Sequence, residues 1–360
     1  MLKRWNEARS RLEGVRLKSN ALRGLRSALG VLIAASPWGA AFLLGSCGLM
    51  EGYRRCADVD PLRSARLPSR LSETGLFRDV STGALASGVR AYRPTFELWS
   101  DGATKRRWIW LPANERIDSS DMDSWSFPVG TKLWKEFTRD GVRVETRLLQ
   151  RIGPGAGDWA AVAYLWNAER TEAVAVPDGV ENARGTAHDV PAAGACSGCH
   201  GGRASRVLGF SAVQLSGQTA PGTLDLEELV RQGALTAPPT ESRALRGSTE
   251  TIAALGYLHA NCSHCHNQQR PPRDHDGFRC FDPETTLDFS LQWGQLGPPE
   301  ATATYRTALQ SAVKPGHPDD SLLIERVRGR KRFPPCMPPL ATKRVDDHAV
   351  ELLSRWISSL

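Results

Sequence analysis

Y-L-H-A-N-C-S-H-C-H-N, running from Tyr257 to Asn267, places two cysteines three positions apart with a histidine directly after the second. C-x-x-C-H is the pattern of covalent c-type haem attachment. Cys262 and Cys265, about one helical turn apart, can each form a thioether to a vinyl group on one porphyrin edge. That leaves His266 under the iron as proximal ligand. The pattern occurs a second time as C-S-G-C-H at Cys196, Cys199 and His200. The two copies predict two covalently attached haem c groups.

A zinc site is the competing reading of four cysteines in two pairs. Zinc ribbons separate their pairs by about 15 to 20 residues. Cys199 and Cys262 are much further apart, and zinc leaves both following histidines without a role.

The second motif begins a segment, residues 250–360, that reads as a mostly α cytochrome c domain. Glu250 to Ala260 forms a helix entering the motif. A loop-rich stretch with Pro271, Pro272 and Pro283 then leads to P-D-D-S-L-L-I-E-R-V from Pro318, where Asp319 or Asp320 can cap a helix. F-P-P-C-M-P-P-L from Phe333 follows. The chain closes on a helix, Val345 to Leu360, with Val350, Leu352, Leu353, Trp356 and Ile357 in helical spacing. Met337, between prolines that stiffen its loop, is expected as distal ligand of the second haem. His/Met ligation raises the potential relative to two imidazoles.

The first motif lies in residues 192–249, too short a segment for a complete cytochrome c fold. Its sixth ligand stays open among His188, His259, His275, His317, His348, the distant Met122, or nothing. His259, on the helix into the second motif, leads that field, whereas His264 inside the motif is expected to be solvated.

Before the first motif the texture changes. Residues 75–191 hold short apolar or alternating runs at Trp108 to Leu111, Thr131 to Phe137, Val142 to Leu149 and Trp159 to Trp166, separated by turn signals. Asp140-Gly141 suits a tight hairpin. Strands at this spacing predict an antiparallel β-sandwich, making the whole an α+β multidomain chain. Seven of the eleven tryptophans fall here and are expected to fill its core. Asp101, Lys105, Lys135 and Glu136 are expected to be solvated or salt-bridged, with no chemical role.

Residues 1–46 have a basic n-region, an apolar stretch from Ala28 to Leu44 and small residues before Cys47, the layout of a secretory signal. Residues 47–74 read as a tether. The leader carries eight Lys/Arg and two acids, so the formal net charge of +7 falls to +1 without it, and nucleic acid is not an expected partner. Leu44-Gly45-Ser46-Cys47 resembles a lipobox, which implies lipidation of Cys47 and attachment of an exported, periplasm-facing protein to a membrane. Export suits haem attachment, which takes place outside the cytoplasm. It also permits a disulfide between Cys280 and Cys336, leaving Cys56 over.

Taken together, these motifs resemble a family of uncharacterised bacterial di-haem c-type cytochromes, many of them lipoproteins. The resembling stretches are F-E-L-W-S-D-G-A-T-K-R-R-W-I from Phe96, F-P-V-G-T-K-L-W-K-E-F from Phe127, E-T-R-L-L from Glu145, C-S-G-C-H-G-G, V-L-G-F-S-A-V-Q-L-S, the Tyr257 stretch and the M-P-P-L at Met337. The resemblance implies haem binding and one-electron transfer with redox partner proteins. It names no substrate, and Cys336 beside the methionine departs from the usual loop. The alternative expectation is a di-haem peroxidase with an open distal site on the first haem.

Overall fold

A computed structural model describes residues 67–217, 222–269, 286–329, 337–338 and 343–360. The leader, Cys47, Cys56, His275, Cys280 and Cys336 lie outside the described residues.

Strands β4 (Thr104–Trp110), β5 (Lys132–Arg139), β6 (Val142–Arg151) and β7 (Trp159–Trp166) form an antiparallel meander. Short strands β3 (Arg90–Ala91) and β8 (Ala173–Ala175) close its two edges, giving six strands in sequence order. A separate ribbon pairs β1 (Phe77–Asp79) with β2 (Ala84–Leu85). Asp140 and Gly141, both at positive φ (49° and 77°), make the two-residue β5–β6 turn. Only a primed turn of this kind matches the twist of adjoining strands.

Strand periodicity gives the sheet two unlike faces. On one, Trp108, Trp134, Leu148 and Val162 stand directly opposite one another across four strands. Leu71, Leu76, Phe77, Val80 and Val89 complete that core. Residues 67–74, expected within a tether, therefore help cover the sheet: Leu71 is fully buried, the Tyr164 hydroxyl donates to the Pro68 carbonyl at 2.9 Å, and Ala175 N donates to Ser69 O at 2.9 Å.

The opposite face carries Ile109, Leu133, Leu149, Ala161 and Trp159. They share one core with Phe210, Leu255, Leu258, Leu353 and Trp356 of the helical half. This corrects the sandwich expectation. The chain is α+β with antiparallel strands, but helices and loops cover the face where a second full sheet would pack.

Seven helices follow the sheet among the described residues: α1 (Ala193–His200), α2 (Ala212–Leu215), α3 (Leu226–Arg231), α4 (Thr249–Asn261), α5 (Ala303–Ser311), α6 (Leu322–Arg328) and α7 (Asp347–Ser358). Helix α4 starts at Ser248, whose side chain accepts from Thr251 N, and α7 at Asp346, which accepts from Ala349 N. Each such cap satisfies one of the four orphan N–H groups of a helix start. Helix α6 is preceded by Ser321, not by Asp319 or Asp320, which belong to a 3₁₀ turn (Pro318–Asp320) held by a Ser321 N to Pro318 O bond. Helix α7 buries Ala349, Leu352, Leu353, Trp356 and Ile357 against α4 and α6. Burial of a Leu or Ile side chain contributes about 1.5–3 kcal/mol each. Among the described residues no helix is long and apolar enough to cross a membrane.

Candidate haem-binding site

The first motif ends α1, which packs against β7 and is tied to the sheet domain by Ala193 N donating to Pro177 O at 2.8 Å. Helical geometry sets Cys196 and Cys199 one turn apart on one side of α1. The second motif begins where α4 stops. Cys262 is the C-cap, and Cys265 N and His266 N both donate to Cys262 O, at 3.1 and 2.8 Å. All four cysteines are partly buried thiols outside any disulfide. Burial raises the Cys199 thiol to about 11, helped by Cys196 and opposed by Arg147 and Lys135. Burial alone raises Cys262 to about 12.

The two motifs, distant in sequence, touch in space. A methyl group on Gly202, just past the first motif, would lie 1.8 Å from the His264 carbonyl oxygen inside the second, so only glycine allows this approach. The Asn267 amide donates to Gly202 O at 3.1 Å and to Ser263 O at 2.8 Å. Cys265 Sγ lies 3.9 Å from Gly198 O. Arg203 adds a bond to Ser263 Oγ at 2.7 Å. One asparagine and one arginine thus clasp the two cysteine turns together.

His200 Nδ1 lies 2.6 Å from Arg206 O. A carbonyl can only accept, so Nδ1 carries the proton and Nε2 keeps its lone pair. This is the arrangement by which a metal-ligating histidine is oriented. Burial and the Lys135 ammonium lower the His200 pKa to about 4, keeping the ring neutral. His266 ends the second motif against the Phe289 ring, 5.5 Å between centroids, and its carbonyl accepts from Phe289 N at 2.9 Å. Met337 is partly buried and donates its backbone N–H to Arg326 O at 3.0 Å, at the end of α6.

The remaining histidines are sorted by their surroundings. His259 is buried, and its Nδ1 accepts from Leu291 N at 3.0 Å. The neutral ring then bears its proton on Nε2, the reverse of what an Nε2 ligand needs, so the geometry makes His259 a hydrogen-bonding core residue and not the favoured sixth ligand. His264 is also buried, against the expectation of a solvated side chain, because the clasp closes over it. His188 is buried with Nε2 2.6 Å from Glu145 Oε1. His317 and His348 are exposed. A cavity of about 50 Å³ is lined by Met122, Asp123, Arg203, His259, His264 and Leu291.

Several residues of this arrangement went unrecognised in the sequence. The Phe96 ring seats on Gly256 of α4, where a Cβ would come within 2.1 Å of it. Trp99 N donates to Asn261 Oδ1 at 2.7 Å, and the Asn261 amide donates to Glu97 O at 3.3 Å. The F-E-L-W stretch is therefore a strap over α4. Its only sequence signal is the glycine inside an otherwise helical pattern.

The donor set suits covalent haem. Thiols lie one turn apart, and an imidazole with its lone pair on Nε2 follows at His200. Among the described residues no group of three or more His, Cys, Asp or Glu side chains converges as a metal site, so the cysteines are not gathered as the four thiolates of zinc. No protein-family model, no curated protein and no solved structure matches the chain.

Proposed function

We propose that the chain is an exported di-haem c-type cytochrome that passes single electrons between partner proteins, held to a membrane through lipid on Cys47. Cys196 and Cys199 would hold the first haem with His200 below it. Cys262 and Cys265 would hold the second between His266 and Met337. Bound haem supplies a one-electron iron couple. The protein's own part is to hold each imidazole neutral and oriented, to exclude water and to set the distance between the two centres. The reading fits the resemblance to the di-haem family and a mostly α cytochrome c segment over residues 250–360.

The observation that carries the proposal is the clasp between the motifs through Gly202, Asn267 and Arg203. Electron tunnelling falls steeply with distance, and two attachment turns in van der Waals contact favour rapid exchange between the centres. The cavity beside Arg203, His259 and His264 favours the second reading, a di-haem peroxidase in which a small oxidant reaches an open iron.

Electron paramagnetic resonance of the oxidised protein, beside a pyridine haemochrome count, separates the two. Two haems per chain with two low-spin signals are expected. One high-spin signal would favour the peroxidase, and a chain purified from a c-haem-competent host without haem would overturn both.

A further inference from the structure

Beside the apolar row Ile109–Leu133–Leu149–Ala161, the same sheet face turns abruptly cationic. Arg107, Lys135 and Arg147 stand directly opposite one another on β4, β5 and β6, with Ala163 of β7 completing the row. Lys105, two residues before Arg107, lies on the same face. Like charges directly opposite across strands are destabilising, so the row needs an anion to offset it.

The protein supplies too few. Arg147 is satisfied by two bonds to Glu145. Arg107 is not: its side chain is 3% exposed, and among the described residues it makes no side-chain hydrogen bond and one ion pair, a 3.8 Å contact to Glu97. The forked guanidinium donors of Arg107 thus have no carboxylate at hydrogen-bond distance among the described residues. Lys135 is partly buried and meets no carboxylate among the described residues. Burial, then Arg107, Arg147 and Lys105 in turn, push its pKa down to about 7. The four cations face Glu145, Glu97 and, near Lys105, Asp346, so cations outnumber carboxylates by one.

We propose that Arg107 and Lys135 bind a pair of carboxylates, the two propionates of the haem attached at Cys196 and Cys199. Helix α1 packs on β7, and the row runs from β7 across β6 and β5 to β4. At about 4.8 Å per strand that is roughly 14 Å. A porphyrin tied by its vinyl edge to α1 and lying along this face would pass Lys135, which stands near Cys199 and His200, and carry its propionate edge away from β7 toward Arg107, with the long Lys135 side chain reaching the same edge. Arginine suits the role through its forked donors, and lysine as a point charge.

This inference rests on the haem reading above, so the first measurement is the haem count. With two haems per chain established, Lys135→Met, Arg107→Leu and the double variant are compared with the unaltered holoprotein. The readouts are the propionate bending bands in the resonance Raman spectrum and the potential of each haem. The bands of the first haem are expected to shift. Its ferrous-to-ferric ratio at fixed potential should fall about tenfold, a drop of about 59 mV for one electron, while the second haem stays unchanged. Lys135→Met, nearly equal in volume, keeps the test open should Arg107→Leu fail to fold.

Inorganic sulfate added to the unaltered protein should change nothing, because the row is already filled. Sulfate-dependent spectral changes that the variants abolish, with propionate bands unmoved, would make the row a site for free oxyanions and overturn the assignment. Unchanged bands and potentials in the double variant would overturn it outright. An unaltered chain without haem would instead sink the functional reading on which it stands.

Discussion

The two C-x-x-C-H turns share five-residue chemistry but sit in opposite surroundings. The first ends an eight-residue helix without a side-chain cap, resting on β7 near Arg147 and Lys135. The second closes a capped thirteen-residue helix packed on α7 and strapped by the Phe96–Trp99 segment. Cationic charge opposes the burial of Cys199, whereas nothing opposes the burial of Cys262. Under the proposed function, two C-x-x-C-H motifs would therefore give two unlike redox centres. The fold sets Arg147 and Lys135 beside the first turn and Arg203 beside the second, with the clasp holding the two in contact.

The strongest way to break the comparison is to delete one attachment at a time. Cys262→Ala should cost the second haem its normal two-thioether linkage and leave the first intact, and Cys196→Ala should do the reverse, both read from absorption and haem stoichiometry. A variant that lost both haems would show that the two sites fold as one unit.

Met337→Ala should lower the potential of the second haem only and remove its sulfur-to-iron absorption in the far red. A spectrum and potential left untouched would take Met337 out of the ligand set.

The contact itself is tested by Gly202→Ala. Its methyl must displace the His264 carbonyl, so a loss of about 1–3 kcal/mol is expected from overpacking, read as a lowered denaturation midpoint. Unaltered stability would mean the motifs do not approach this closely.

The smallest effect concerns acid. Burial, with Arg203 and His264, lowers the His259 pKa to about 3 from an ordinary 6.5. The unfolded chain therefore takes up this proton first as pH falls. The His259 contribution is fully present above about pH 6.5 and is lost progressively toward pH 3. His259→Gln should flatten the acid limb of stability between those values, and an unchanged limb would mean the ring is not buried neutral.

What could be read from residue order was local. Cysteine and histidine spacing marked both motifs, period-2 runs marked the strands, Asp140-Gly141 marked its hairpin, and the 3.6-residue pattern from Val350 to Ile357 marked the last helix. These signals arise within one turn of helix or a few residues of strand, so a single stretch of chain contains them. The sandwich expectation failed because alternation shows that a strand has two faces but not what covers each. Here a looped segment covers one and helices the other.

Long-range facts had no local signature. Gly202 against His264, Phe96 on Gly256, and the register that aligns Arg107, Lys135 and Arg147 each join residues far apart in sequence. In linear order those three cations are ordinary surface charges, as Lys135 was expected to be. Strand pairing sets them side by side in a partly buried row, where repulsion and desolvation act. The sequence by itself determined which thiols and imidazoles stand at C-x-x-C-H spacing. Tertiary packing decided how close the two attachment turns lie and what charge each one faces, because both depend on contacts that form only when the sheet and helices close on one another.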